Sequence, residues 1–151
     1  MNKIFLDNNS TTPVDPAVLD SMIPYFTEKF GNPSSRTHAY GWEAEAAVEI
    51  ARDEISNLIN ADSSEIIFTS GATESNNIVF LDTFKHSNKS IITSTTEHKA
   101  VLDICEYINK NSKNNIIYIN PDHLGMINLE KLAELINVNT YMISIMHVNN
   151  E

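Results

Sequence analysis

The chain has 151 residues, of which 42% are hydrophobic, 8% aromatic and 20% charged, a composition that excludes disordered and collagen-like classes and makes one globular domain the default. Ten Lys and Arg against twenty Asp and Glu leave a formal net charge of −10, which works against binding to a nucleic-acid backbone or an anionic membrane. A single cysteine excludes an internal disulfide and a Cys-rich zinc site and reads as cytoplasmic, and no apolar run approaches the roughly 20 residues that span a bilayer.

Residues 1–13 carry Asn8 to Pro13 after a short apolar run and read as an irregular arm. Asp15 can cap a helix with Pro16 at its first position, extending to about Lys29 with a kink at Pro24, and Gly31-Asn32-Pro33-Ser34-Ser35 ends it. Trp42 to Asn60 is a stronger helix, because Ala47, Ile50, Ala51, Ile55, Leu58 and Ile59 recur at helical spacing. From residue 65 short β-branched runs alternate with helical stretches. The pattern predicts a strand at 66–69, a helix over 73–85, a strand at 90–94, a helix over 98–109, a strand at 116–119, a helix over 129–136 and a buried strand over 141–147. That order predicts an α/β fold with a mainly parallel sheet and flanking helices, preceded by a helical segment, with domains at 1–64 and 65–151. A last strand with no helix to cover it reads as an incomplete domain, with marginal folding on its own.

Thr69-Ser70-Gly71-Ala72-Thr73-Glu74-Ser75 joins a strand to a helix through one glycine, so free amides and the positive helix end can face an anion, with Ser70, Thr73 and Ser75 as further donors. It lacks the Gly-Lys-Ser/Thr of a nucleotide loop and the extra glycines of a dinucleotide fingerprint. On local sequence alone the ordinary capped turn comes first and the anion site second. His98 stands where a strand leads into a helix, at the edge where α/β sheets bind ligands. A helix N-terminus there favours a neutral ring able to stack or exchange a proton, although a capping or surface histidine has the same local signature. Asn149 and Asn150 follow the last strand on that same edge and can donate to an anionic oxygen, or simply form a polar turn. Cys105 falls on the apolar face set by Val101, Ile104 and Ile108, which marks it as an inert core thiol. The five histidines show no metal-ligand spacing, so no metal site is expected.

Taken together and in order, Leu6-Asp7-Asn8-Asn9-Ser10-Thr11-Thr12-Pro13-Val14-Asp15-Pro16, Phe30-Gly31-Asn32-Pro33-Ser34-Ser35, Phe68-Thr69-Ser70-Gly71-Ala72-Thr73-Glu74-Ser75, Thr96-Glu97-His98-Lys99-Ala100-Val101-Leu102 and Ser144-Ile145-Met146-His147-Val148-Asn149-Asn150-Glu151 closely resemble the N-terminal portion of the cysteine desulfurases of iron-sulfur cluster assembly, in the class V aminotransferase group. The resemblance implies a pyridoxal phosphate (PLP) enzyme of fold type I, with this chain an incomplete large domain, working as a homodimer on L-cysteine. It implies alanine and an enzyme-bound persulfide as products, with the cofactor as electron sink and a scaffold or sulfur-carrier protein as acceptor. It assigns Ala72 and Thr73 to the cofactor phosphate, His98 to stacking on the cofactor ring and assisting proton transfer, and Asn150 to the ring oxygen. Ser10 and Asn76 replace the family's usual Ala and Asp without touching these roles. The family's cofactor-bearing lysine, pyridine-facing aspartate, loop cysteine and carboxylate-binding arginine have no counterpart here, and Lys99 belongs to the Thr-Glu-His-Lys motif rather than replacing that lysine. These 151 residues alone are therefore expected to be inactive. A truncated non-catalytic partner of a longer desulfurase, or another class V enzyme such as an aminotransferase or selenocysteine lyase, are the alternatives.

Overall fold

The computed structural model describes residues 4–8, 10–86, 89–113 and 115–149, with the backbone alone at 83–86. The chain divides into two compact units, Met1–Phe68 and Thr69–Glu151.

In the first unit, helix α1 runs Pro16–Thr27. Asp15 caps it by accepting from the Ala17 amide at 2.8 Å, and the ring of Pro16 fixes φ where a helical N–H has no partner anyway. The helix stops before the expected Lys29, because the amides of Glu28 and Lys29 both turn back to the Pro24 carbonyl, at 2.8 and 2.7 Å. Helix α2 runs Ala39–Ile59, three residues ahead of the expected start at Trp42. Its N-cap is His38, whose Nδ1 accepts from the Gly41 amide at 3.2 Å. Gly41 is buried, and a Cβ there would collide with the Ser35 carbonyl, so only glycine admits the preceding loop this closely. Asn60 closes α2 in the left-handed region at φ 55°.

The expected strand at 66–69 does not form. After a single 3₁₀ turn at Ser63–Glu65 the backbone is extended but joins no ladder among the described residues, and Ile67 stays 73% exposed. Arg52 holds this segment instead: its guanidinium donates to the Ile66 carbonyl and lies 5.0 Å from the Phe68 ring centroid. An apolar β-branched run names a strand only where a second strand supplies the ladder.

The second unit reads α3 (Ala72–His86), β1 (Ser90–Ser94), α4 (Lys99–Asn111), β2 (Ile116–Ile119), α5 (Leu129–Leu135) and β3 (Thr140–Ser144). Both strand pairs are parallel and the sheet order is β2-β1-β3, so β1 is central and all of its residues are buried. This is the expected α/β architecture, a parallel sheet with flanking helices. Phe80 of α3, Ile91 of β1, Ile116 of β2 and the α4 stripe Val101, Ile104, Cys105 and Ile108 form one core cluster, with Leu81 and Met142 against it. The four α4 positions are those that i, i+3, i+4, i+7 spacing selects, and burying each large side chain contributes on the order of 1.5–3 kcal/mol. β3 corrects the expectation of a buried strand over 141–147. It ends at Ser144 and alternates, with Met142 turned to the core while Tyr141 and Ile143 stay 48% and 41% exposed. Neighbours cover β1 on both sides, whereas among the described residues β3 pairs on one side only.

Candidate functional site

The second unit gathers its polar residues where the strands end and the helices begin. The first of these places is the turn before α3. Gly71 has φ 158°, and a Cβ there would meet nothing within 4 Å, so backbone conformation rather than space calls for glycine. The first bond of α3 runs from the Ser75 amide to the Gly71 carbonyl at 3.2 Å, which leaves the amides of Ala72, Thr73 and Glu74 ahead of the intrahelical ladder, at the positive end of a 15-residue helix.

Of the three hydroxyls expected to donate to a ligand, two brace the turn instead. Both the amide and the hydroxyl of Ser70 donate to Glu74 Oε2 at 2.7 Å, and these bonds hold the Glu74 carboxyl below its ordinary pKa. Ser75 Oγ lies 2.8 Å from Thr69 Oγ1, while Thr69 Oγ1 donates to the Gly71 carbonyl at 3.1 Å. Thr73 instead lines a groove of about 380 Å³ between α3 and α4, with Asn77, Leu81, Ala100, Asp103, Ile104 and Tyr107.

The second place is the link from β1 to α4. His98 is the N-cap of α4, with φ −59° and ψ 149°, and its Nδ1 accepts from the Ala100 amide at 3.1 Å. With Nδ1 accepting, Nε2 is the ring nitrogen left to contact a ligand. The ring is exposed. Ala100 shares the α3–α4 groove with Thr73, so the first turns of the two helices lie side by side. Helix N-terminal amides, a hydroxyl and an imidazole suit an anionic group joined to a flat ring, so these donors fit the phosphate acceptors of the PLP that the resemblance implies.

The third place is the segment after β3. Asn149 Nδ2 donates to the Thr96 carbonyl at 2.9 Å, and the Met146 amide donates to Glu97 Oε1 at 2.7 Å. Asn150, assigned to the cofactor ring oxygen, lies outside the described residues. Glu97, only 7% exposed, is the residue that sequence reasoning passed over. Its one signal was a carboxylate next to the capping histidine, and its burial depends on a contact 49 residues away.

Cys105 is fully buried in the core cluster, and burial, with the Glu97 charge as a lesser cause, pushes its thiol up to about 11. Among the described residues no group of three or more His, Cys, Asp or Glu could hold a metal ion, and no helix is long and apolar enough to cross a membrane. The first unit has a larger hollow of about 610 Å³, lined chiefly by apolar side chains such as Tyr25, Phe30, Val48 and Phe68.

Known proteins resemble the chain over nearly all of its length. The aminotransferase class-V family profile matches residues 4–151. The cysteine desulfurase IscS of Buchnera aphidicola subsp. Baizongia pistaciae is 52% identical over 153 residues, covering 98% of this chain and 38% of that protein. The IscS of Rickettsia typhi is 53% identical over 152 residues, covering 98% and 37%. Among solved structures, a NifS-like protein superposes with a TM-score of 0.85 at 42% identity, over 96% of this chain and 40% of its own. DndA from Streptomyces lividans does so at 0.81 and 40% identity, over 98% and 42%, and SspA in complex with cysteine at 0.79 and 36%, over 94% and 41%. The chain thus spans well under half the length of the proteins it matches.

Proposed function

The chain belongs to the aminotransferase class-V family, and from that membership we propose that it forms the N-terminal part of a PLP-dependent cysteine desulfurase, which converts L-cysteine to L-alanine and an enzyme persulfide that supplies sulfur for iron-sulfur cluster assembly. One observation carries the reading. The first turns of α3 and α4, with Thr73 on one and the His98-capped amide of Ala100 on the other, open on the same groove in a chain about half identical to IscS proteins. That a structural neighbour was solved with cysteine supports cysteine as the substrate.

In this reading the amides of Ala72 and Thr73 and the Thr73 hydroxyl hold the cofactor phosphate, whose charge the α3 N-terminus stabilises. His98 would stack its ring on that of the cofactor and, since the cap engages Nδ1, present its Nε2–H toward the substrate as a hydrogen-bond donor. Asn150 donates to the ring oxygen without titrating. When bound, PLP supplies an electron sink for the substrate's α-carbon.

The same reading makes the working protein a cytoplasmic homodimer that hands sulfur to a scaffold or carrier protein. Cys105 is not the sulfur-carrying thiol, because it is closed in the core and held protonated. The 151 residues alone, with no other cysteine, release no sulfide.

The test is to purify the full polypeptide carrying these residues, load it with PLP, and follow alanine and sulfide release from cysteine. Desulfuration lost on Thr73→Ala and His98→Ala supports the site, and a loaded protein that transaminates but never releases sulfur sinks the desulfurase reading. Sulfide released by the 151-residue chain with PLP and cysteine would refute its inactivity.

A further inference from the structure

Four residues, Thr95 to His98, link β1 to α4, and Glu97 alone among them is buried, at 7% exposure. Burying a carboxylate is costly unless hydrogen bonds compensate it, so its place there calls for a role. The parallel ladder between β1 and β3 ends at the pair Thr93 and Ser144. Two residues further on, where no ladder partner remains for the Met146 amide, Glu97 Oε1 accepts from it at 2.7 Å. The side chain takes over where the backbone ladder stops.

A second bond runs in the opposite sense, from Asn149 Nδ2 to the Thr96 carbonyl at 2.9 Å. Each segment therefore sends one side chain to the backbone of the other, across 49 and 53 residues of sequence. His98 is fixed independently by its own bond to the Ala100 amide, and beyond the end of the ladder Glu97 and Asn149 tie its link to residues 146–149.

We infer that Glu97 is a positioning residue: its carboxylate locks the segment after β3 to the β1–α4 link and so sets the spacing between His98 and Asn149. The inference rests on the PLP reading above. Glu97 itself touches neither cofactor nor substrate, and it acts through the Met146 amide.

The experiment uses the full polypeptide with PLP and the variants Glu97→Leu, Glu97→Asp and Glu97→Gln. Leu removes the acceptor, Asp withdraws it by one methylene, and Gln keeps an oxygen able to accept from an N–H. Amide hydrogen exchange at Met146 reads the lock directly, while PLP affinity and the visible circular dichroism of bound cofactor read the positioning, which a merely structural role would not move.

The expected result is at least about tenfold faster exchange at Met146, about tenfold weaker PLP binding and an altered visible band in Leu, intermediate changes in Asp, and recovery in Gln. If Leu fails to fold, the Asp and Gln pair decides. Unchanged exchange in both Leu and Asp, or faster exchange with wild-type PLP affinity and dichroism, overturns the inference alone. A wild-type protein that takes up no PLP overturns the cofactor reading, and this inference with it.

Discussion

The buried thiol of Cys105 yields a prediction with a defined size. Its pKa stands at about 11 against 9.0 for an unperturbed thiol, because ionising it would put a charge inside the cluster of Phe80, Ile91, Val101, Ile104, Ile108 and Ile116. A folded-state pKa above the unfolded one adds stability that is complete below pH 9.0 and is lost as pH rises through about 11, since in that window the unfolded chain has released a proton that the folded chain keeps. A difference of about two pH units corresponds to about 3 kcal/mol. Urea unfolding of the chain and of Cys105→Ala at several pH values tests this. Ala costs on the order of 1 kcal/mol at pH 8 for the vacated volume, but it removes the thiol's share of the alkaline loss, so the wild type should give up about 2 kcal/mol more than Ala between pH 8 and 11. Alkylation gives a second readout. At pH 8 about one thiol in a thousand is ionised when folded and about one in ten when unfolded, so native labelling should be at least ~100-fold slower than labelling in urea. Equal alkaline slopes for the two proteins, together with native labelling within a few-fold of the urea rate, would show Cys105 accessible and remove the argument against it as a sulfur carrier.

Other expectations follow from single contacts. His98→Asn keeps an N-cap and discards the ring, whereas His98→Ala discards both. Ala should therefore cost about 1 kcal/mol of stability that Asn retains, while both weaken PLP binding, as urea melts and a PLP titration would show. Gly41→Ala drives a methyl into the Ser35 carbonyl and should destabilise the first unit by about 1–3 kcal/mol, visible as a lower urea midpoint from Trp42 fluorescence. Glu74 is held ionised by Ser70, so its bracing of the turn is present above pH 4.5 and is lost as pH falls through the lowered pKa. An NMR titration should place its midpoint below 4.5 in the wild type and move it up in Ser70→Ala.

How far the sequence could be read depended on the range of the forces involved. The strands at 90–94 and 116–119 form at the residues expected, because each is a short β-branched run bounded by polar residues and each finds a parallel partner. The stripe of α4 was equally legible, since 3.6-residue periodicity selects one face whatever covers it. The run at 66–69 has the same local character and forms no strand, because a ladder needs a second chain segment that local composition cannot name. The early start of α2 was hidden for a chemical reason. Its cap is a histidine, and Ser, Thr, Asp and Asn are the residues that normally signal a helix start.

The candidate site divides along the same line. Gly71 before a helix and a histidine at the start of another are local signals, and they placed Ala72, Thr73 and His98 at helix N-termini, where the structure has them. What the hydroxyls do there was not legible. Ser70 and Ser75 have the chemistry of ligand donors, yet Glu74 and Thr69 engage them, leaving Thr73 on the groove. Nor could any local pattern disclose that Glu97 faces inward or that Asn149 reaches Thr96, because both facts depend on β3 lying beside β1. The helix ends that would bind a cofactor are thus set by short-range capping, which is robust to sequence drift elsewhere. The relation of the third segment to them depends on long-range contacts, among them two side-chain bonds that span the domain. Those bonds are therefore where a single substitution, away from the residues that would touch cofactor, should disturb alignment and weaken binding together.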